Sequence, residues 1–256
     1  MTDAILQIDM LSKSFSGLRV VEEVSFGVTK GSRTALIGPN GAGKTTVFNL
    51  ISGIYDVDDG QISLDGTDIT NMPERERVNH GVSRSFQNIR LMPHLSAIEN
   101  VMLGQHARAR SLGALMFPLG WVPGNRWARR AAEALGEAGL GTYPGEVVAN
   151  LPYGVQKRIE VVRALMSDPK VLMLDEPAAG LNEKETEELQ GLLEQVSTRG
   201  VTLLVVEHDM QFVRNLCDQV VVLNFGKKIF EGAPSEVNSD AAVREAYLGT
   251  GDADAA

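Results

Sequence analysis

The sequence predicts an α/β fold built on a mainly parallel sheet, and three features of the chain support this prediction. A short, wholly apolar run at residues 171–174 and a run of β-branched residues and leucine at 201–206 alternate with segments of helical periodicity. A glycine-rich loop at residues 38–45 lies between a predicted strand and a predicted helix. The run at 171–174 ends in two acids, Asp175 and Glu176. Strands that are apolar throughout are typical of parallel sheets covered by helices on both faces.

The periodicity also predicts where the individual elements lie. Residues 5–10, 20–29 and 34–37 are predicted strands, followed by a helix at 45–52 and a strand at 61–64 that ends at an Asp-Gly turn. Helical patterns follow at 95–139, with a break near 113–124, and at 155–166, and then strand 171–174, helix 183–198 and strands 201–206, 220–223 and 228–231. The helical insert at 88–158 indicates a second subdomain, and the small, acidic tail at 250–256 is expected to be flexible.

Composition and charge exclude several classes of protein. The 256 residues are 43% hydrophobic and 22% charged, which is ordinary for a globular protein with a sizeable core. The net charge of −9 argues against a free-standing nucleic-acid binder, because such proteins usually carry a basic face. Arg126, Arg129 and Arg130 form the densest basic cluster, which is interpreted as a solvated helix face. No nucleic-acid partner is therefore expected.

The chain also lacks the patterns of a secreted or membrane-spanning protein. Cys217 is the only cysteine, so an intrachain disulfide is impossible and a reducing compartment is expected. The four histidines have no metal-ligand spacing, and the N-terminus has no signal-peptide pattern. The most apolar stretch, residues 112–122, is interrupted by two glycines and a proline. A spanning helix needs about 20 apolar residues, so none is expected.

The loop at residues 38–45 matches the phosphate-binding pattern G-x-x-x-x-G-K-[ST]. Its glycines allow backbone N–H groups to surround phosphates, and the following helix directs its N-terminus at the same anion. Lys44 supplies a positive charge between the β- and γ-phosphates, and the Thr45 hydroxyl is suited to Mg²⁺. A chance glycine-rich turn is the alternative, and the position between a strand and a helix weighs against it. The expected contacts to ATP are Gly38, Pro39, Asn40, Gly41, Ala42, Gly43, Lys44, Thr45 and Thr46.

The two acids after the apolar run at 171–174 are candidate catalytic groups. A side chain at the carboxyl end of a parallel strand projects into the crevice where α/β sheets bind ligands. Asp175 is predicted to complete the Mg²⁺ shell, and Glu176 to polarise the water that attacks the γ-phosphate. A solvated strand end would be the better interpretation of these acids alone, but the phosphate-binding loop favours catalysis.

Over nearly its whole length the chain resembles the ATP-binding subunits of ABC transporters. The similarity is greatest to the branch that imports branched-chain (hydrophobic) amino acids and amides. Besides the two motifs above, the resemblance is carried by Phe86-Gln87 as the Q-loop, residues 151–158 as the signature, 174–182 as Walker B and D-loop, 206–210 as the H-loop, and the ending Ala246-Tyr-Leu-Gly249. It implies a P-loop NTPase core at 1–87 and 159–249 with an N-terminal antiparallel β subdomain, and a helical subdomain at 88–158 that contains the signature.

The resemblance also implies a role for each matched residue. Gln87 would contact Mg²⁺ and the attacking water, and would report the state of the nucleotide to a membrane partner. His208 would hydrogen-bond the γ-phosphate and orient Glu176. Phe15 would stack on adenine, and a position in the strand core is its alternative. The signature would contact nucleotide through Tyr153, Gly154, Val155 and Gln156.

The signature departs from the common Leu-Ser-Gly-Gly-Gln pattern. Pro152, Tyr153 and Val155 replace the serine, the first glycine and the glutamine, whereas Gly154 is kept. Pro152 has neither a hydroxyl nor a backbone donor, so backbone N–H groups from Gly154 onward are expected to contact the γ-phosphate. In the D-loop, Asn182 stands where aspartate is common.

Activity and partners follow from the same resemblance. The chain would be an ATPase that energises import of branched-chain amino acids or related small polar solutes and amides. Two such subunits, identical or paralogous, would meet head to tail around two ATP molecules, each site combining the P-loop of one with the signature of the other. The pair would bind transmembrane permease subunits, with a periplasmic or extracellular solute-binding protein acting indirectly.

The subunit is accordingly expected to be peripheral, at the cytoplasmic face of the cell membrane. Residues 88–95 and the helical insert would receive a coupling helix of the permease. The apolar stretch at 112–121 would join that contact, and a small core under a long loop is its alternative.

Three other functions remain open. An ABC ATPase can serve another cargo, such as a lipid or an exported solute, although the segments 178–182 and 246–249 weigh against this. A non-transport ATPase acting on DNA or ribosomes would carry a long coiled coil, zinc-binding cysteines or a second P-loop, and the sequence has none of these. A nucleotide kinase would have no use for the segment at 151–158 or for His208.

Overall fold

The computed structural model describes residues 4–85, 89–105 and 126–248. Its strands are β1 (Ala4–Phe15), β2 (Leu18–Thr29), β3 (Arg33–Ile37), β4 (Asp59–Leu64), β5 (Thr67–Asp68), β6 (Val82–Arg84), β7 (Val171–Asp175), β8 (Thr202–Val206), β9 (Gln219–Asn224) and β10 (Lys227–Gly232). Its α-helices are α1 (Lys44–Ser52), α2 (Glu74–His80), α3 (Ala97–Leu103), α4 (Arg126–Glu137), α5 (Tyr153–Leu165), α6 (Glu183–Thr198), α7 (Met210–Leu216) and α8 (Ala241–Leu248). Short 3₁₀ turns lie at Val148–Asn150 and Val237–Ser239.

A six-stranded sheet with the order β10-β9-β3-β8-β7-β6 forms the centre of the molecule. The pairs β9–β3, β3–β8, β8–β7 and β7–β6 are parallel, and only β10 runs antiparallel to its neighbour. Every residue of β7 and β8 is buried. Successive side chains of β7 face opposite sides, since Leu172 and Leu174 join one apolar core and Val171 and Met173 join the other. The prediction of an α/β fold with a mainly parallel sheet is confirmed.

A second, antiparallel sheet has the order β2-β1-β4-β5. Its strands β1 and β2 have 12 residues each, longer than the apolar alternation predicted, and register shifts interrupt their pairing. The inner face of this sheet packs with α1 and one face of the central sheet in a shared apolar core. The backbone N–H of Glu22 donates to the carbonyl oxygen of Gly226, 2.8 Å away, and so joins β2 to the β9–β10 turn.

Helices α3, α4 and α5 pack on the other side of the central sheet. Ser96 and Glu99 form a capping box that begins α3. The inward face of α4 buries Ala131 and Leu135. Of the arginines predicted to form a solvated face, Arg126 and Arg129 are exposed, and Arg130 is one-third exposed in a surface ion pair with Asp168. The domain boundaries at 87/88 and 158/159 stay a prediction, because α5 continues without a break through residue 158.

Five elements were not predicted: β5, α2, β6, α7 and α8. The last of these places Val243 and Ala246 in the core. The stretch at 112–122 lies outside the described residues. In the three described ranges, no helix combines the length and the apolar character that crossing a membrane requires.

Candidate nucleotide-binding and catalytic site

The predicted site residues gather at one edge of the central sheet. Strands β6, β7, β8 and β3 are parallel, so their carboxyl ends lie at the same edge. Strand β6 ends at Arg84, and β7 ends at Asp175, which Glu176 follows. Strand β8 ends directly before Glu207 and His208, and β3 ends directly before the loop that starts with Gly38. This convergence is what the crevice of an α/β sheet provides for a ligand.

Two glycines of the loop are required by its packing against distant parts of the chain. Gly38 has a φ of +148°, and a Cβ atom there would lie 2.1 Å from the backbone oxygen of Leu223. Gly43 has a φ of +98°, and its Cβ would lie 2.9 Å from the backbone oxygen of Val20. The prediction explained these glycines by the approach of phosphate. The structure adds that neighbouring strands exclude any side chain before a ligand arrives.

The loop presents a row of backbone donors at the start of α1. The first helical hydrogen bond is donated by Val47 to the oxygen of Gly43, at 3.0 Å. The N–H groups of Lys44, Thr45 and Thr46 precede this bond and are the ones that a helix leaves for a ligand. The side chain of Thr45 is exposed at the same place. The loop therefore has the geometry of an anion cradle.

Lys44 is folded back onto its own loop. Its Nζ donates to the carbonyl oxygens of Gly38 at 2.7 Å and Pro39 at 2.9 Å. Burial lowers the pKa of Lys44, and the negative charges of Glu176 and Asp175 act in the opposite direction. Lys44 thus lies within electrostatic reach of both predicted acids, as a shared phosphate site requires.

Asp175 is held by a buried arginine that the sequence did not indicate. Arg84 Nη2 lies 2.6 Å from Asp175 Oδ2, and the two side chains are 8% and 9% exposed. The Nη1 atom of Arg84 donates to Asn49 Oδ1, also at 2.6 Å. The predicted Mg²⁺ ligand is therefore ion-paired with a buried arginine.

Glu176 and His208 lie side by side. Glu176 has a φ of +46°, a strained conformation for a side chain of this size that is typical of functional sites. His208 Nδ1 is 4.0 Å from Glu176 Oε1 and 3.8 Å from Glu207 Oε2. Glu207 is buried, which raises the pKa of its carboxyl, whereas backbone donors at Ala178 and His208 lower it. The pair predicted to serve the γ-phosphate is brought together.

Phe15 ends β1 with its ring 38% exposed, so it is not a core residue. Tyr55 packs edge-on against it at 5.2 Å between ring centroids, and the Nζ of Lys13 lies 5.6 Å from the Phe15 centroid. Lys13 is itself fixed by Asp58 at 2.6 Å. An exposed aromatic ring in a defined orientation is suited to stacking on a base.

The residues predicted as the signature begin α5. The side chain of Val155 is buried, and Gln156 Nε2 donates back to Leu151 at 2.8 Å, so neither side chain is presented to a ligand. Tyr153 is 43% exposed. Among the described residues, no hydrogen bond or ion pair joins 153–156 to 38–46. What α5 offers to a phosphate is its N-terminal backbone.

The oxygen ligands present fit Mg²⁺. The Thr45 hydroxyl and the Asp175 carboxylate are hard donors, and Mg²⁺ usually takes one or two protein ligands and completes its shell with phosphate and water. Elsewhere in the part of the chain that the structure describes, no cluster of three or more His, Cys, Asp or Glu side chains could hold a metal. Gln87, the third predicted ligand, lies outside the described residues.

Comparison with known proteins decides the family. The family model described as "ABC transporter" matches residues 21–179, more than half of the chain. The chain belongs to the ABC transporter family. This ABC ATPase also matches, at residues 227–253, a model described as "Branched-chain amino acid ATP-binding cassette transporter".

Relatives and solved structures agree with this assignment. The branched-chain amino acid transport ATP-binding protein BraF of Pseudomonas aeruginosa is 40% identical, over 97% of this chain and 99% of the relative. LivG of Escherichia coli is 37% identical, over 97% and 99%. A solved ATP-binding cassette of an ABC transporter in its ADP conformation is 31% identical, with a TM-score of 0.86 over 97% of this chain and 100% of that one. The chain therefore binds nucleotide and hydrolyses ATP as ABC ATPases do.

Two residues at the site escaped the sequence analysis. Arg84 contacts Asp175, which is 91 positions away, and a single arginine after two strand residues gives no signal of such a pairing. Tyr247 of α8 is hydrogen-bonded with the backbone of Gly38, which lowers the pKa of its phenol, while burial raises it by more. The ending at 246–249 was noticed only as part of the family resemblance, without a structural role.

Proposed function

We propose that this ABC ATPase energises the import of branched-chain amino acids, or of related small polar solutes and amides, by hydrolysing Mg²⁺-bound ATP. The observation that carries the ATPase part is the convergence of Lys44, Asp175, Glu176 and His208 at one sheet edge. The cargo is supported by the relatives, which are named as branched-chain amino acid transport proteins over nearly their full length. The match of the C-terminal model at residues 227–253 supports the same branch.

The residues of the site divide the chemical work among them. Lys44 exchanges the carbonyl oxygens of Gly38 and Pro39 for phosphate oxygens, which are charged and therefore stronger acceptors. Phe15 stacks on the base. Glu176 accepts a proton from the attacking water, and His208 orients that carboxylate and donates to the γ-phosphate.

The Mg²⁺ site involves Thr45 and Asp175, with Gln87 as a further ligand. Mg²⁺ supplies neutralisation of the charge on the phosphates when it is bound. Arg84 pairs with Oδ2 of Asp175 at 2.6 Å. Arg84 therefore holds the carboxylate in position, and Oδ1 would be the oxygen that serves the ion.

A second ATPase subunit completes the site. The start of α5 carries N–H groups at Tyr153, Gly154 and Val155 that precede the first helical bond, donated by Gln156 to Pro152. Among the described residues, these groups make no hydrogen bond with the phosphate loop of their own chain. Head-to-tail pairing of two subunits brings them to the γ-phosphate of the other, so ATP joins the two subunits and hydrolysis separates them.

A groove beside β6 supports the contact with a permease. It has a volume of about 470 Å³ and is lined by Val78 of α2, Leu103 of α3, Arg163 and Ala164 of α5, and the half-exposed Met92. Apolar side chains line most of it, together with two arginines and two glutamates (Arg84, Arg163, Glu74 and Glu160), and such a lining fits an amphipathic helix of the transmembrane partner. Docking there would hold the subunit at the cytoplasmic face of the membrane, next to the segment at 88–95.

The ATPase assignment is tested with Glu176→Gln. We expect this variant to bind ATP normally, to hydrolyse it at least about 100-fold more slowly, and to form a stable ATP-dependent dimer. Glu183→Gln, an exposed change seven positions later, is the matched control and should hydrolyse ATP normally. Lys44→Ala should instead lose nucleotide affinity. Normal turnover by purified Glu176→Gln would remove this residue from the role of base.

The transport assignment is tested by co-purification from membranes. The expected result is a complex with hydrophobic permease chains whose uptake of radiolabelled leucine in proteoliposomes requires ATP and a solute-binding protein. Uptake of a lipid or an unrelated solute by that complex, with no response to branched-chain amino acids, would replace the proposed cargo.

A further inference from the structure

Gly154, at the start of α5, is crowded by a side chain of its own subunit. A Cβ atom built on Gly154 would lie 2.7 Å from the Cγ, Cδ and Oε1 atoms of Glu185. No side chain has room there unless Glu185 moves. The glycine kept in the signature is therefore required by a contact within the chain, whatever it also does for a phosphate.

Glu185 is not free to move aside. It is the third residue of α6, and its Oε2 accepts a hydrogen bond from the Asn182 backbone N–H at 3.1 Å. In return its own N–H donates to Asn182 Oδ1 at 3.0 Å, which completes a capping box. Glu185 thus ends the loop at 177–182 and at the same time covers the first turn of α5.

Two further contacts join the same elements. The ring of Tyr153 lies 3.3 Å from the position that a Cβ of Gly180 would take. One turn further along both helices, Arg158 Nη2 is 2.9 Å from Glu188 Oε2. The N-terminus of α5 is therefore fixed against the D-loop and the first turns of α6.

The other end of this loop is tied to the catalytic residues. The loop follows Glu176 directly, and the backbone N–H of Ala178 donates to Glu207 Oε1 at 2.9 Å. The second oxygen of Glu207 accepts from the backbone N–H of His208 at 3.0 Å. A continuous set of contacts leads from the catalytic carboxylate and its histidine to the N–H groups of α5.

We infer that Glu185 is a positioning residue for ATP hydrolysis. Its side chain sets the N-terminal N–H groups of α5 at a fixed place relative to the loop after Glu176. Within one subunit, the position of the catalytic carboxylate is therefore linked to the position of the α5 N–H groups. These N–H groups are the phosphate contact that the subunit offers to the second subunit. This inference rests on the two-subunit arrangement proposed above.

The test compares five variants of the full chain with the wild type. Glu185→Ala removes both the cap and the contact, and Glu185→Gln keeps the cap at the same size. Glu187→Ala is the matched control on the same helix, because its exposed side chain takes no part in these contacts. Gly154→Ala adds the Cβ that Glu185 excludes, and the double variant Gly154→Ala/Glu185→Ala makes room for it.

We expect Glu185→Ala to hydrolyse ATP about tenfold more slowly at a given protein concentration, because assembly of the two-subunit site is impaired. Binding of a fluorescent ATP analogue to the monomer should be unchanged, which a general loss of folding would not allow. Glu185→Gln and Glu187→Ala should stay within about twofold of the wild type. Gly154→Ala should be the slowest, and adding Glu185→Ala should raise its rate to that of Glu185→Ala alone.

Two results would overturn the inference. In the first, Glu185→Ala hydrolyses ATP like the wild type. In the second, the double variant stays as slow as Gly154→Ala, which would show that Gly154 serves only the phosphate. A wild-type chain that neither hydrolyses ATP nor dimerises with it would overturn the proposed function as well, so the two failures are distinguishable.

Discussion

Removing the guanidinium of Arg84 should destabilise the nucleotide-free protein far more than an ordinary arginine substitution. In Arg84→Met the buried carboxylate of Asp175 loses the partner that lies 2.6 Å away. Both side chains are less than a tenth exposed, so water does not replace the lost contact. Leaving one charge of a buried pair uncompensated costs about 3–5 kcal/mol.

That cost corresponds to a large change in melting temperature. For a chain of this size, 1 kcal/mol shifts the midpoint by about 2–4 °C. We therefore expect Arg84→Met to melt about 6–20 °C below the wild type without nucleotide. Adding Mg²⁺ and ATP should raise the melting temperature of this variant by more than it raises that of the wild type, because the cation supplies Asp175 with a new counter-charge.

Differential scanning calorimetry and urea unfolding measure both effects. Arg199→Met is the matched control, since Arg199 pairs with Glu137 where both side chains are half exposed, and such pairs contribute about 0–1 kcal/mol. The double variant Arg84→Met/Asp175→Asn should be more stable than Arg84→Met, because no buried charge is left. If Arg84→Met unfolds within about 1 kcal/mol of Arg199→Met, the argument from the buried pair is wrong.

Three further outcomes are expected. Gly38→Ala should lower the free energy of unfolding, measured in urea, by about 3 kcal/mol or more, because of the clash described above and the positive φ of this residue. Gly136→Ala is the control and should not be destabilised, because the space around its new Cβ is open. Arg33 lowers the pKa of Asp218, so this pair stabilises the fold above the ordinary carboxyl pKa of about 3.9 and its contribution is lost as the pH falls through the lowered value. Asp218→Asn should therefore lower the melting temperature at pH 7 and make no difference in strong acid; an equal effect at both pH values would contradict this. Burial raises the pKa of Cys217 to about 12, so a thiol reagent at pH 8 should label it only on unfolding, and rapid labelling of the native protein would show that the site opens.

The sheet could be predicted from the sequence because its pattern is local. Wholly apolar runs such as 171–174 encode burial on both faces, and the spacing of the phosphate loop encodes its own chemistry. Because the strands are parallel, the residues that follow their carboxyl ends lie together at one edge of the sheet. Helix α2 was missed for the opposite reason. It buries only Arg77, which donates to the carbonyl oxygens of Leu50, Ile51 and Thr70, and no apolar stripe marks it in the sequence.

The candidate site was only partly predictable, for a related reason. The residue types at 44, 175, 176 and 208 reveal their chemistry, but the groups that hold them come from other elements. Arg84 and Glu185 act through partners that are 91 and 31 positions away, and only the folded chain shows these distances. The side chain of Val155 is buried because α5 packs on the core, and that of Gln156 bonds back to Leu151, which the motif alone does not reveal.

The phosphate loop cannot acquire its shape alone. Its backbone is enclosed by Val20 of β2, Leu223 of β9 and Tyr247 of α8, so segments from both halves of the chain have to be in place first. A peptide of residues 33–52 or a half-folded chain would lack the segments that enclose the loop and would not bind a triphosphate. Retention on immobilised ATP is thus a stringent criterion for a correctly assembled preparation, and nucleotide in the buffer should selectively protect such molecules during purification.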